Sequence, residues 1–109
     1  MRTAEMRQTI DRAQNEVLRT RILRVAEAVY PRWASRAVLF RVLNDSHVDT
    51  CINDLDFNAH YLAEKGFLNV EKEGKRENRA WRMKLTARGV DYLEGRIAEI
   101  GIATPDLIE

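Results

Sequence analysis

The stretch YLAEKGFLNVEKEGKRENRAWRMKLTARG, residues 61–89, changes its hydrophobic period part-way along and indicates the fold. It begins as the end of a helix, and Gly66 stands where a left-handed glycine would close that helix. Residues 67–70 then begin a strand, and residues 81–85 alternate apolar and charged side chains, as on a strand with one solvated face. Thr86 is placed to cap a further helix. The stretch therefore predicts a helix, a β-hairpin and a helix in succession.

Helical spacing of apolar residues also fills the chain before this stretch. Two apolar stripes, offset by one residue, run up to Pro31. This part is therefore either one helix whose apolar face rotates along its length or two helices with a bend between them. A second helix is predicted from Ala34 to Leu43 and a third from about Thr50 to Lys65. The positions expected to face the core are Val38, Leu39, Val42, Leu43, Ile52, Leu55, Ala59 and Leu62, and, in the last helix, Val90, Leu93, Ile97 and Ile100.

Length and composition favour one cytoplasmic domain. The 109 residues suit a single core, and 45% of them are hydrophobic, which argues against a disordered chain. No apolar run approaches the roughly 20 residues of a membrane-spanning helix, and the polar N-terminus shows no apolar signal core. The single cysteine, Cys51, excludes an internal disulfide and fits a reducing compartment.

Charge is strongly segregated along the chain although the net charge is only +1. Residues 2–43 carry nine basic and four acidic residues, and residues 67–88 carry seven and three. The two intervening and following segments, residues 44–66 and 89–109, each carry one basic and five acidic residues. Separate basic and acidic faces are therefore expected, and local fields matter more than the total.

The order helix, helix, helix, hairpin, helix resembles the winged-helix variant of helix-turn-helix proteins. YLAEKGFL followed by a charged hairpin carries the resemblance, together with LTARGVDYLEGRI. The longer stretch LTARGVDYLEGRIAEIGIATP resembles small winged-helix proteins of Mu-like phages and prophages. Its matching elements are Leu85, Thr86, Gly89, Gly95, Arg96, Gly101, Ile102 and Pro105. The resemblance covers roughly residues 17–105 and implies a phage setting, without a particular biochemical role.

The predicted fold is therefore α+β: a winged helix-turn-helix with three helices, a hairpin wing and a C-terminal helix. Residues 17–109 form this domain, and residues 1–16 form an N-terminal helical extension. The extension carries a narrow apolar stripe that includes Met6, Ile10 and Ala13. One stripe on a small helix needs a covering surface, which is either its own domain or a second copy in a two-fold homodimer.

In the usual docking of such proteins the third helix lies in the major groove of DNA. Thr50 and Asn53 are candidates for contact with base edges. The exposed face of this helix has no Arg, however, and its carboxylates oppose binding to phosphates. Phe57 and Tyr61 on that face are typical of a protein contact, or else Tyr61 packs beneath the hairpin and Phe57 fills an edge of the core.

Basic residues for phosphate contact lie elsewhere. The wing offers Lys72, Lys75, Arg76 and Arg79, and the second helix offers Arg36 and Arg41. Such contacts position a protein on DNA without reading sequence. Three glutamates dilute the charge of the wing, so a merely solvated, aggregation-resistant edge is the alternative.

No arrangement of residues indicates catalysis, a metal or a cofactor. His47, Cys51 and His60 are too few for a metal site, and the scattered glycines form no phosphate-binding loop. The leading expectation is a non-enzymatic phage DNA-binding protein, regulatory or architectural, acting on double-stranded DNA as a homodimer. The alternative is a protein-interaction module, in phage assembly or as an accessory factor, that uses the acidic third helix.

Overall fold

A computed structural model describes residues 2–73 and 80–104, and these form an α+β fold of four helices and one three-stranded antiparallel sheet. The α+β class is thus confirmed, and the arrangement is compatible with a winged helix. The elements in chain order are α1 (Thr3–Val29), β1 (Ala34–Ser35), α2 (Arg36–Asp45), α3 (Ile52–Glu64), β2 (Leu68–Lys72), β3 (Trp81–Leu85) and α4 (Ala87–Leu93). No helix in the described ranges is both long and apolar enough to cross a membrane.

Helix α1 is one continuous helix of 27 residues, so the alternative of two separate helices does not occur. It ends two residues before Pro31, because the residue preceding a proline disfavours helical geometry. Its second part packs into the core through Leu18, Ile22, Leu23 and Ala26, whereas residues 3–14 are exposed. The predicted boundary between residues 16 and 17 therefore falls inside one helix.

The start of α2 differs from the prediction. Ala34 and Ser35, expected in the helix, instead form the short strand β1, which pairs with Met83 and Arg82 of β3. The Ser35 side chain then accepts a hydrogen bond from the Val38 amide at 3.2 Å, so the helix begins at residue 36.

Only half of the predicted inward positions of α2 are buried. Leu39 and Leu43 lie in the core, but Val38 and Val42 are 54% and 39% exposed, and their prediction as core residues is wrong. The cause is geometric: the pairs Val38–Val42 and Leu39–Leu43 together occupy a wider arc of the helix surface than the core beside α2 covers.

Helix α3 begins at Ile52, with Cys51 as its N-cap, so Thr50 lies in the connection before the helix and not in the helix itself. Leu55, Ala59 and Leu62 are fully buried, which confirms the predicted inner face. The helix closes as predicted at Gly66, whose φ of +85° is one that residues with a side chain rarely adopt.

The sheet has the order β1-β3-β2, and β2 and β3 form the predicted hairpin. Leu68 pairs with Leu85, and Lys72 pairs with Trp81. Trp81, Met83 and Leu85 face the core, and the alternate residues Arg82 and Lys84 are partly exposed, as the alternation predicted. Strand β1 has only two residues, which is too short for an alternating apolar and polar pattern to predict a third strand. The hairpin tip, residues 74–79, lies outside the described residues.

Helix α4 starts as predicted and ends early. The Thr86 side chain accepts a hydrogen bond from the Gly89 amide at 3.0 Å and donates one to the Gly66 carbonyl at 2.6 Å. The helix ends at Leu93, before Ile97 and Ile100, and Ile100 is 96% exposed, so its prediction as a core residue is wrong. Ile102 is buried in its place, because the chain after the helix turns back towards α1.

That returning segment, residues 101–103, is fastened to α1 by polar contacts. Arg19 donates to the Gly101 carbonyl and to the side chain of Asn58 in α3, both at 2.7 Å. Thr20, fully buried, donates to the Ala103 carbonyl at 2.6 Å. Arg19 thus joins α1, α3 and the returning segment with one side chain.

Candidate interaction surface

A salt bridge joins the start of α2 to the middle of α3, and a hydrogen bond ties the same carboxylate to the loop-side end of β3. Arg36 donates to both carboxylate oxygens of Asp56, through Nε at 2.8 Å and Nη2 at 2.7 Å. The indole Nε1 of Trp81 donates to the same carboxylate at 2.7 Å. The side chains of Arg36 and Asp56 are 19% and 22% exposed. These three residues, the Asp56 junction, hold α2, α3 and β3 in one fixed arrangement.

The electrostatics of the junction favour its charged form. Burial by itself would raise the pKa of Asp56, but the hydrogen bonds from Arg36 and Trp81, with the charges of Arg36 and His60, outweigh burial and lower that pKa. The hydrogen bond to Asp56 raises the pKa of Arg36, against the opposing effect of burial. Arg36, a predicted DNA contact, therefore has two of its donors engaged inside the fold.

The outward face of α3 consists of Asn53, Phe57, His60 and Glu64, all of them exposed. Phe57 is 61% exposed, so it does not fill an edge of the core. The ring of His60 lies 6.2 Å from that of Trp81, so the outward face adjoins the end of the hairpin nearest its connecting loop. An exposed aromatic residue among polar ones is typical of a contact surface.

Tyr61 is positioned differently from Phe57. The Arg19 guanidinium lies 3.7 Å from the centre of the Tyr61 ring, and the Tyr61 hydroxyl lies against Gly101. Tyr61 therefore packs against α1 and the returning segment, not beneath the hairpin as one alternative expected. Only Phe57 of the predicted aromatic pair stands on the outward face of α3.

The start of α3 is acidic. Asp49 and Asp54 are exposed there, and Glu64 is exposed at the other end of the helix. Asn53 is exposed and available for contact, whereas the Thr50 amide donates to Asn44 at 3.3 Å and its hydroxyl to the Cys51 carbonyl at 3.2 Å. The face predicted to contact base edges thus carries more carboxylates than suitable donors.

The predicted cations are spread over α2 and the hairpin. Arg41 is 84% exposed and makes a long 3.6 Å pair with Asp45, and Lys72 is exposed at the end of β2. Lys75, Arg76 and Arg79 fall outside the described residues. The structure thus places Arg41 and Lys72 on the surface and brings Arg36 into the fold.

A cleft of about 840 Å³ lies between α1 and the segment that joins α2 to α3. Its α1 wall includes Ala13 and Val17, members of the stripe predicted to make a dimer contact. Met6 and Ile10, the other members, are each 49% exposed on the part of α1 that continues beyond the cleft. The predicted extension thus adjoins a concave surface that the sequence did not reveal.

His47, Cys51 and His60 do not come together as metal ligands. Within residues 2–73 and 80–104 no group of three or more His, Cys, Asp or Glu side chains has a metal-binding arrangement.

Comparisons with family models, curated proteins and solved structures find no match to this chain. The function of the candidate surface therefore has to be inferred from its own residues and their contacts. Sequence reasoning missed the Asp56 junction and the Arg19 contacts, because both join residues that are distant in sequence and follow no local period.

Proposed function

We propose that this protein is a winged-helix DNA-binding protein of a phage or prophage, without catalytic activity, in which β2 and β3 form the wing. The phage setting rests on the resemblance of residues 85–105. The observation that carries DNA binding is the Asp56 junction, which joins α2, α3 and the loop-side end of wing strand β3 into one preformed surface. A preformed surface of three elements avoids the entropic cost of ordering those elements separately on a duplex.

The wing supplies the attraction to DNA in this proposal. Phosphate neutralisation dominates the affinity of proteins for DNA, and residues 67–88 hold seven basic residues against three acidic ones. Lys72 is exposed at the loop-side end of β2, and Lys75, Arg76 and Arg79 follow in the connection. Exposed Arg41 adds charge from α2.

In the same arrangement, the carboxylates at helix α3 limit its contact with base edges and so its recognition of a particular DNA sequence. Asp49, Asp54 and Glu64 would approach phosphates if α3 entered the major groove deeply, and like charges make that costly. Asn53 is the exposed donor of α3 best suited to a base edge, and Asn pairs well with adenine. The expected binding is therefore strongly salt-dependent and only weakly selective for sequence.

Fluorescence anisotropy with mixed-sequence and phage-genome duplexes across a salt series tests this proposal. The affinity should fall linearly with the logarithm of the salt concentration. Changing Lys75, Arg76 and Arg79 together to Ala should weaken binding to all duplexes alike and reduce the salt slope by about 2 to 3. Arg96→Ala is the matched control, since Arg96 is exposed beyond α4 and pairs with Asp91.

Absence of binding at low salt would exclude DNA as the partner. Binding with an unchanged slope in the triple variant would exclude the wing as the phosphate-binding element.

A second candidate function is protein binding through the outward face of α3, favoured by the 61% exposure of Phe57. A photoreactive amino acid at position 57 should then cross-link a phage protein in infected cells. The same amino acid at position 38, where Val38 is 54% exposed on α2, serves as the control. Equal adducts from both positions, or none from position 57, would remove this candidate.

A further inference from the structure

The first part of α1, residues 3–14, which we call the arm, is exposed along its length, and its end at Asp11, Ala13 and Gln14 lines the cleft. All of its residues are exposed, including Met6 and Ile10 at 49% each. Arg2, the N-cap, makes no side-chain capping hydrogen bond. Helices in proteins owe most of their stability to packing of one apolar face, so an uncovered arm of this length calls for a surface that covers it.

The cleft beside α1 has the composition of such a surface. Its apolar lining comes from Ala13, Val17, Leu18 and Val48. The stripe that starts at Met6 and Ile10 continues along α1 into this lining, since Ala13 and Val17 occupy the next helical positions. The exposed stripe and the cleft wall are therefore one continuous apolar strip.

We propose that the arm of a second copy of this chain lies in the cleft, and that the exchange is reciprocal. Two α1 helices then run antiparallel about a two-fold axis, as the commonest class of oligomer requires. Ile10 lies beside the partner's Ala13, and Met6 lies beside the partner's Val17. Each arm covers the cleft of the other copy, so no unpaired apolar strip remains.

Charge favours this occupant. Three carboxylates, those of Asp11, Asp49 and Asp54, line the cleft against one guanidinium, that of Arg21. The arm and its cap carry three cations, Arg2, Arg7 and Arg12, and two carboxylates, Glu5 and Asp11, so they are net positive by one charge. Opposite potentials on two surfaces of the same chain favour self-association over a random apolar contact.

The expected interface is small. An arm of about 12 residues is about 18 Å long at 1.5 Å per residue. Two such arms bury roughly 1,200 Å² in total, the lower limit for a specific interface. The dimer should therefore dissociate in about the micromolar range. This inference is independent of DNA binding, because it concerns the arm and the cleft alone.

Sedimentation velocity on the full chain over a concentration series tests the proposal. We expect a concentration-dependent dimer, and we expect Ile10→Glu to raise its dissociation constant at least about a hundredfold, because Ile10 is buried twice in a two-fold interface. Val42→Glu is the matched control, an exposed valine on α2 that should leave dimerisation unchanged. Thermal melts by circular dichroism check that both variants stay folded.

A second pair of variants tests the cleft itself. Changing Asp49 and Asp54 together to Lys should weaken the dimer at least about tenfold, and so should Arg7→Glu alone, because each reverses the complementary charge. A chain that stays monomeric throughout the series overturns the proposal. So does a dimer that is insensitive to Ile10→Glu, or one that depends on Ile10 but tolerates the reversed cleft, which would mean that arms pair without entering it.

Discussion

Removing the charge of Asp56 should destabilise the fold far more than removing any comparable exposed carboxylate. The carboxylate accepts hydrogen bonds from Nε and Nη2 of Arg36 and from the indole of Trp81, at 2.7 to 2.8 Å. In Asp56→Asn the amide oxygen can still accept from Trp81, but one guanidinium donor faces an amide nitrogen and the positive charge loses its partner.

The size of the effect follows from the burial of the pair. Removing one member of a fully buried ion pair costs about 3 to 5 kcal/mol. Arg36 and Asp56 are 19% and 22% exposed, so water relieves part of that cost, and we expect a loss of about 2 kcal/mol in the free energy of unfolding. For a domain of this length, unfolding entropy averages about 2.1 cal/mol/K per residue, which converts 2 kcal/mol into a Tm decrease of about 9 °C.

Thermal and urea unfolding followed by circular dichroism measure this loss at neutral pH. Asp45→Asn is the matched control, because the Arg41–Asp45 pair is 84% and 71% exposed at 3.6 Å and should contribute less than about 0.5 kcal/mol. Equal Tm values for the Asp56 and Asp45 variants would show that the Arg36–Asp56 pair stabilises the fold no more than an exposed pair does.

The pH dependence supplies a sharper check of the same prediction. The folded pKa of Asp56 is lowered below the ordinary value of an aspartate, which it has in the unfolded chain. The stability from its charge is therefore fully present above about pH 5 and is lost as pH falls through the folded pKa. The stability difference between the natural protein and Asp56→Asn should shrink between about pH 5 and pH 2, and a constant difference would contradict the assigned electrostatic cause.

Two further predictions concern the start of α4. Gly89→Ala should cost about 2 to 3 kcal/mol, because the added Cβ would lie 2.5 Å from the Phe67 carbonyl oxygen and 2.6 Å from a methyl of Leu85. Gly95→Ala, with open space but a φ of +79°, should cost only about 1 kcal/mol. Chemical unfolding that ranks the two variants the other way would contradict this packing. Thr86→Ala should cost about 2 kcal/mol by losing both the helix cap and the bond to the Gly66 carbonyl, while Thr86→Ser, which keeps the hydroxyl, should stay within about 0.5 kcal/mol in the same assay.

The parts of the fold that the sequence predicted are those governed by local period and local caps. Leu55, Ala59 and Leu62 mark the inner face of α3 by spacing alone, and they are fully buried. Gly66 and Thr86 set the end of one helix and the start of another through properties of single residues.

The parts that failed depend on neighbours that spacing does not specify. Val38 fits the apolar period of α2 as well as Leu39 does, yet only Leu39 has a surface to pack against. Ala34 and Ser35 join the sheet because β3 lies beside them, although their own pattern fits a helix start. Ile100 is exposed because α4 ends at Leu93 and Ile102 occupies the core in its place.

The candidate surface was predictable only as a set of residue types. The sequence marks Arg36 as a cation, but only the structure shows that its partner, twenty positions further along the chain, is Asp56. The sequence groups Phe57 with Tyr61, but only the structure separates an exposed ring from one that lies under Arg19. The sequence shows which residues are charged or aromatic, but it does not show which of them already contact other parts of the fold.

The segment at residues 101–103 also has a consequence for how the molecule opens. Arg19 and Thr20 give up their carbonyl partners together when this segment detaches, and the Ala103 amide loses the Glu16 carbonyl at the same moment. Such detachment also loosens the hold of Arg19 on Tyr61 and Asn58 in α3. Native-state hydrogen exchange should therefore show the backbone amides of Ile102 and Ala103 exchanging through one shared sub-global opening, and not through independent fraying of a tail.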